Sequence, residues 1–338
     1  MQRRKPVRIE IVLMIFSVII FGVFLVLILT YYGRVLKAAG YKEEELNHVY
    51  GYQYEMIVDN RNSTLWNEVY EKAKAEAAEN DALLSLRVSD ANTEYDKTDY
   101  VDMCIDSKAD GIILEYNGEP GLTEKINEAA EQGIPVVTIM NDPSWSSRQS
   151  YVGVNEYQMG QAYGEQVARL INEDTKDILI LSNREPELEK NQLYSRIYNA
   201  VSDRTGGEKN IHVREQNLIS KSQFDVEEAV RNIFQSSDGP PEMIICLDEV
   251  TTVCAYQAMI DFNMVGEVSI IGYDASETIL EAVEKGLIPV TFAMDAGQIA
   301  EYSIEALTEY REIGRSNAYY TVDLNVITSQ DSMNDMTS

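Results

Sequence analysis

Two apolar rhythms alternate along most of this chain, and a segment near its start has no rhythm at all. From Ile11 to Leu29 the sequence reads IVLMIFSVIIFGVFLVLIL, 19 residues without a charge. A helix needs about 20 such residues to cross the hydrocarbon of a bilayer, so residues 11–30 are expected to be a transmembrane anchor. Arg3, Arg4, Lys5 and Arg8 stand before it, and basic residues stay on the cytoplasmic side. Residues 1–10 are then cytoplasmic and everything after Thr30 lies outside, as the body of a single-pass protein of the cell membrane. A cleaved signal peptide is the competing expectation, because VLKAAG at 35–40 offers small residues to a peptidase. The apolar run is longer than the roughly 7–15 residues of a signal core, which favours the anchor. No Cys stands just beyond the run, which excludes a lipid-modified start there. Residues 31–51 are expected to be a short, partly helical stalk.

Beyond Tyr52 short apolar runs alternate with stretches of helical spacing. The runs predict strands at Tyr54–Val58, Leu83–Val88, Gly111–Glu115, Pro135–Ile139, Tyr151–Val154, Asp177–Leu181, Ile211–Asn217, Met243–Leu247, Ser269–Tyr273, Val290–Met294 and Tyr320–Val326. In the first intervening helix Trp66, Val69, Tyr70, Ala73 and Ala77 recur at three- and four-residue intervals, and Asn80-Asp81 ends it. Two later helices stop at Gly133 and Gly286, each just before a Pro-led strand at Pro135 and Pro289. Strands apolar on both faces and alternating with helices imply an α/β fold of parallel, doubly wound sheets, and about eleven strands are better housed in two sheets than in one. The polar tail after Ser329 is expected to be disordered.

Composition narrows the function. The 338 residues suit two lobes rather than one core. Lys and Arg total 28 against 56 acids, a net charge of −28, which sets aside any nucleic-acid partner because phosphate binding needs the opposite balance. Cys104, Cys246 and Cys254 are odd in number and scattered, so buried free thiols are expected rather than a disulfide framework. No nucleophile elbow, phosphate loop, dinucleotide fingerprint or HExxH is present. His48 and His212 are too few and too far apart for a metal pair. DANTEYDKTD at 90–99 lacks the Gly and the final acid of a calcium loop, so it is expected to be a solvated polar loop, and no metal or cofactor is implied.

The motifs ADGIIL, GIPVVTI, YVGVNEYQMGQAYGEQVA, MIICLDEVTTVCAYQAM, VSIIGYDAS and GLIPVTFAMDAGQIAEYSIEAL resemble, in order and spacing, the ribose- and galactose-binding type of periplasmic binding protein, whose core the lac repressor-like sugar sensors share. The resemblance runs from about Tyr54 to Val326. It implies the type 1 fold of that family, two doubly wound lobes joined by three crossovers that close on a small molecule. Carried onto this chain, one lobe would hold 52–153 and 295–323, the other 154–294 and 324–338. Open parallel sheets bind ligands beyond the carboxyl ends of their strands.

The resemblance also implies site residues. After the first strand, Asn60, Asn62 and Ser63 supply hydrogen-bonding groups, and Trp66, with Leu65 before it, stands where the family often presents an aromatic ring to its ligand. The competing role for Trp66 is packing against the lobe core. Asp248 and Glu249 occupy the place of the family's Asn-Asp pair, and Tyr273-Asp274 match its aromatic-Asp pair, Asp274 most closely. Asp274 could instead cap the helix beginning near Ser276. Where many members carry Asp-Arg, Met140 and Asn141 stand, with Asp142 one residue late. Asn191 lies nearest the place of a family Arg, and Met294 replaces a frequent hinge Gln. These departures make the pocket more acidic and poorer in Arg, so an unusual pentose, an inositol or an amino-sugar fits as well as glucose. The expected ligand is a monosaccharide or related polyol, and the expected partner is a membrane protein. That partner is a sensor kinase if the chain is a receptor and an ABC permease if it feeds an importer. An enzyme acting on a sugar is the third alternative, which no residue favours.

Overall fold

In the computed structural model, residues 14, 17, 18, 20–28, 30, 31, 48–60, 63–90, 93–173, 175–183, 192–205, 211–220, 222–237 and 239–329 are described. The chain divides into two compact units, Met1–Tyr50 and Gly51–Ser338. In the first, the described residues from 14 to 31 are helical, and apolar side chains such as Phe21, Phe24 and Leu27 are exposed. Among the described residues no helix is long and apolar enough to cross a membrane. Much of the expected anchor and stalk, and the tail from 330, lie outside the described residues.

The second unit opens with β1 (Tyr52–Val58), α1 (Thr64–Glu79), β2 (Ala82–Val88), α2 (Lys97–Ser107), β3 (Gly111–Tyr116), α3 (Leu122–Glu131), β4 (Val136–Met140) and β5 (Ser150–Gly153). It continues through α4 (Glu156–Leu170), β6 (Asp177–Ser182), α5 (Gln192–Thr205), β7 (His212–Asn217), α6 (Gln223–Phe234), β8 (Met243–Cys246), α7 (Glu249–Asp261), β9 (Ser269–Tyr273), α8 (Glu277–Glu284) and β10 (Val290–Met294). It closes with α9 (Ala296–Ile313), β11 (Tyr319–Thr321) and β12 (Leu324–Thr328). The strands form two six-stranded sheets, ordered β11-β5-β4-β3-β1-β2 and β12-β10-β9-β8-β6-β7. All neighbours are parallel except β10 and β12. This is the two-sheet α/β architecture that the alternation of runs predicts. β1, buried from Tyr54 to Val58, and β3, buried throughout, show why their apolar runs do not alternate.

The chain passes between the sheets three times, at 153–155, 294–296 and 321–324. The last passage corrects the single strand expected at Tyr320–Val326. β11 extends the first sheet beside β5, whereas β12 runs antiparallel on β10 in the second. Val322 and Asp323 make the break: the Val322 N–H donates to the Gly153 carbonyl at 3.0 Å, and the Asp323 carbonyl accepts from Asp295 at 3.2 Å. The third passage is thus hydrogen-bonded to each of the other two.

Helix starts and stops follow from local chemistry. Ser63 caps α1 by accepting from the Trp66 N–H, and Asp96 and Asp99 form a reciprocal capping box at the head of α2. That cap turns the end of DANTEYDKTD into a helix start rather than a loop. Gly133 and Gly286, with φ of 80° and 69°, allow the left-handed turn after α3 and α8. All three cysteines are free and buried. Trp66, Val69, Ala73 and Ala77 put one stripe of α1 into a core that also holds Tyr163, Phe292 and Met294.

Candidate functional site

Parallel strands bring their carboxyl ends to one edge of each sheet, and in both sheets that edge is polar. In the first, Asp59 follows β1, Glu115 stands near the end of β3, Asn117 follows it, and Asn141 follows β4. Glu115 is buried, and its two carboxylate oxygens accept from the Asp59 N–H at 2.7 Å and Asn117 Nδ2 at 3.1 Å. Asn117 Nδ2 also donates to Asp59 at 2.7 Å. Asn141 Nδ2 donates to the Tyr116 carbonyl at 2.9 Å and to Asn117 Oδ1 at 3.4 Å.

A lysine holds this edge together. Lys97, only 3% exposed, donates to the Glu115 carbonyl at 2.9 Å and pairs with Asp59 at 2.9 Å and with Glu119. Burial alone pulls its pKa down, but Asp59, Glu115 and Glu119 outweigh that and hold it above the ordinary lysine value. Glu115 moves the other way for a carboxylate: burial first, then the charge of Asp59, push it up to about 7 against the opposing pull of Lys97. The sequence reading passed over Asp59, Lys97, Glu115, Asn117 and Glu119. The signal was Glu115 itself, an acid inside a strand that is otherwise fully apolar up to its terminal Tyr116.

In the second sheet the edge is formed by Asn183 after β6, Asp248 at the head of α7, and Asp274 after β9. Asp248 accepts from the Thr251 N–H at 2.9 Å, capping α7, and from the Asn183 N–H at 2.7 Å. Asn183 is further fastened to Ser220 by a reciprocal pair at 2.7 and 2.8 Å. Asp274 is buried; its N–H donates to the Phe292 carbonyl at 2.7 Å and its carbonyl accepts from Thr291 Oγ1 at 2.8 Å. Burial raises its carboxyl pKa against the lowering effect of the Ala275 and Ser276 N–H groups. Glu249, beside it, is pushed up to about 7 by burial and then by the charge of Asp274. Ser276 occupies the cap position of α8 without a side-chain cap bond.

Backbone strain marks the same two edges. Met140, at the end of β4, has φ of 76°, and Asp274, after β9, has φ of 89°. Side chains with a Cβ rarely adopt this region, and such residues cluster where a site dictates direction.

The structure brings Asn141 into the first edge and Asp248, Glu249 and Asp274 into the second. Trp66, Tyr273 and Met294 belong to the shared apolar core, with Leu65 packed against it. Trp66 is 5% exposed, so most of its ring packs in that core rather than standing open at the helix mouth. Asn62 and Asn191 lie outside the described residues. Asp142 pairs with Arg148 at 2.5 Å, so an Asp–Arg pair exists here in space rather than in sequence. Asp142 also lines a cavity of about 320 Å³ beside the first crossover.

The comparisons fit this geometry. A family model described as "Periplasmic binding protein domain" matches residues 54–315. The D-apiose import binding protein of Paraburkholderia graminis is 23% identical over 243 residues, covering 72% of this chain and 75% of that protein. GanP, a glucose-galactose binding protein from Geobacillus stearothermophilus, superposes with a TM-score of 0.71 at 21% identity, covering 83% of this chain and 98% of that one. XylFII, solved in an XylFII–LytSN complex, gives a TM-score of 0.67 at 23% identity over 82% and 98% of the two chains.

Proposed function

The chain belongs to the periplasmic binding protein domain family, and from that premise we propose that it is a membrane-anchored receptor that closes its lobes on a sugar outside the cell. The observation that carries this is the pair of polar edges at the carboxyl ends of two parallel sheets, tied by three crossovers. A ligand that touches both edges binds the closed form better than the open one and stabilises it by that difference alone. Neutral polyols suit edges rich in carboxylates and amides, since hydrogen bonds to charged groups contribute about 1.5–3 kcal/mol each. Micromolar binding needs about −8 kcal/mol net, within reach of a few such bonds.

Closure is the output. The uncharged run Ile11–Leu29 holds the receptor beside a membrane partner, a sensor kinase in this reading, and the structural relative solved as a complex with LytSN supports such a partnership. Delivery to an ABC permease is the second reading, supported by the relative named as an import binding protein. In either role the chain binds its sugar without converting it.

A thermal-shift screen of the full chain in detergent against pentoses, hexoses, inositols and amino-sugars tests the proposal. A binder raises the midpoint by mass action; no shift across the panel removes the sugar. Loss of uptake on deletion of the gene would select import over sensing.

A further inference from the structure

The cavity beside the first crossover combines aromatic rings with polar side chains, among them Asp142, Asn155, Glu156 and Arg196. Trp145, Tyr157 and Tyr319 line it and remain 46%, 59% and 58% exposed. Resting on the sugar-binding proposal, we infer that this cavity is a second carbohydrate subsite, which takes a sugar ring joined to the one held between the edges. The ligand is then a glycoside or short oligosaccharide rather than a lone monosaccharide.

The rings are set before any ligand arrives. In the first lobe Arg148 lies 4.8 Å from the centre of the Tyr319 ring, and is itself held by Asp142 at 2.5 Å and by the Ala318 carbonyl at 3.0 Å. Its side chain is only 6% exposed. In the second lobe Arg196 stands 6.0 Å from the Tyr157 ring centre and 3.7 Å from Glu156. Each of these two rings thus has a guanidinium within about 6 Å of its centre and still keeps more than half of its residue surface exposed. Flat, apolar and braced surfaces of this kind receive the C–H face of a pyranose at small ordering cost. The volume of about 320 Å³ falls inside the range of roughly 300–1,000 Å³ for small-molecule pockets.

The cavity also adjoins the first edge. Tyr151, which lines it, donates through its hydroxyl to the Met140 carbonyl at 3.1 Å. Met140 precedes Asn141 of the edge, and Asp142 of the cavity follows, with consecutive Cα atoms about 3.8 Å apart. A ring linked to one bound at Asn141 has this space beside it. The walls come from both sides of the crossover, Tyr319 from β11 and Tyr157 from α4, so a second ring adds to the preference for closure.

The test uses the full chain in detergent and calorimetry with a monosaccharide that shifts the midpoint and with α- and β-linked disaccharides containing it. One disaccharide is expected to bind about tenfold tighter, the sum of two aromatic contacts. Tyr157→Ala and Tyr319→Ala should cancel that advantage and leave monosaccharide affinity unchanged; both positions are exposed, and an unaltered midpoint of the free variants certifies their fold. Disaccharides that bind no tighter than the monosaccharide, or variants that weaken both equally, overturn the subsite while the sugar receptor stands. Absence of binding by every sugar overturns both.

Discussion

The backbone N–H of Asp59 donates to the buried carboxylate of Glu115 at 2.7 Å, which joins the ends of two neighbouring parallel strands. Lys97 closes the group from the head of α2 through its ion pairs with Asp59 and Glu119. Removing one member of a buried charged cluster strands the others, at a cost of about 3–5 kcal/mol. Lys97→Met should therefore destabilise the protein by about that much. Denaturant unfolding checks it: the midpoint falls, and an unchanged midpoint would mean that the carboxylates re-solvate freely.

The same burial predicts a pH dependence. Burial pushes the Glu115 and Glu249 carboxyls from the ordinary 4.5 up to about 7 in the fold, and Asp274 is shifted in the same direction. Between those values the native state keeps protons that the unfolded state has released. Stability from these groups therefore falls as pH rises from about 4.5 through about 7, then levels off. Thermal midpoints at pH 5.5 and 8 should differ in that sense, and Glu115→Gln with Glu249→Gln should flatten the slope. A parent midpoint that climbs across this window contradicts the assignment.

Trp66 tests packing against recognition. Its ring sits in the core with Val69 and Met294, so Trp66→Ala should cost about 3–5 kcal/mol of stability whatever it does to binding. Trp66→Phe keeps most of the volume and should restore most of that loss. If the remaining ring edge meets ligand, Trp66→Phe also weakens sugar binding by more than its small residual loss of stability, which titration reads directly.

The fold was largely legible because its cues are local. Apolar runs buried on both faces, the Ser63 cap and the glycines at 133 and 286 each act within a few residues of where they stand. The split at Val322-Asp323 was not, since both halves are strand-like and only the partner strands β5 and β10 tell them apart. Lys97 looked like part of a solvated loop for the same reason: its burial depends on Asp59 and Glu119, which arrive from other strand ends. Asp142 and Arg148 are six residues apart, and no periodicity announces that their side chains meet. The aromatic cavity draws on positions from 142 to 321, so only the crossover assembles it.

Close packing of α4 on α5 supplies another prediction. A Cβ on Gly164 would meet the Ala200 Cβ at 2.5 Å and its backbone carbon at 3.1 Å, too near for either helix to ignore. Gly164→Val should overpack this contact at a cost of about 1–3 kcal/mol, move the start of α5 and with it Arg196, and lower the thermal midpoint. An equal midpoint in the variant would show that the helices slide apart without penalty.

Asp248 and Asp274 look equivalent in sequence, each an acid at a strand end, yet their surroundings assign them different work. Both oxygens of Asp248 accept backbone N–H groups, one capping α7 and one fastening Asn183, so its carboxylate is committed to the fold. Asp248→Ala should cost about 1–2 kcal/mol of stability, the range for a lost helix cap, with a smaller change in ligand affinity. Asp274 is held in a strained backbone conformation by Phe292 and Thr291, and its carboxyl meets the Ala275 and Ser276 N–H groups just before α8. Asp274→Ala leaves an alanine at a φ of 89°, so it should lose some stability, and it should lower sugar affinity at least about tenfold, one charged hydrogen bond's worth. Calorimetry and thermal melts on the two variants separate the roles: affinity loss greater in Asp248→Ala than in Asp274→Ala would reverse the assignment and move the ligand toward α7.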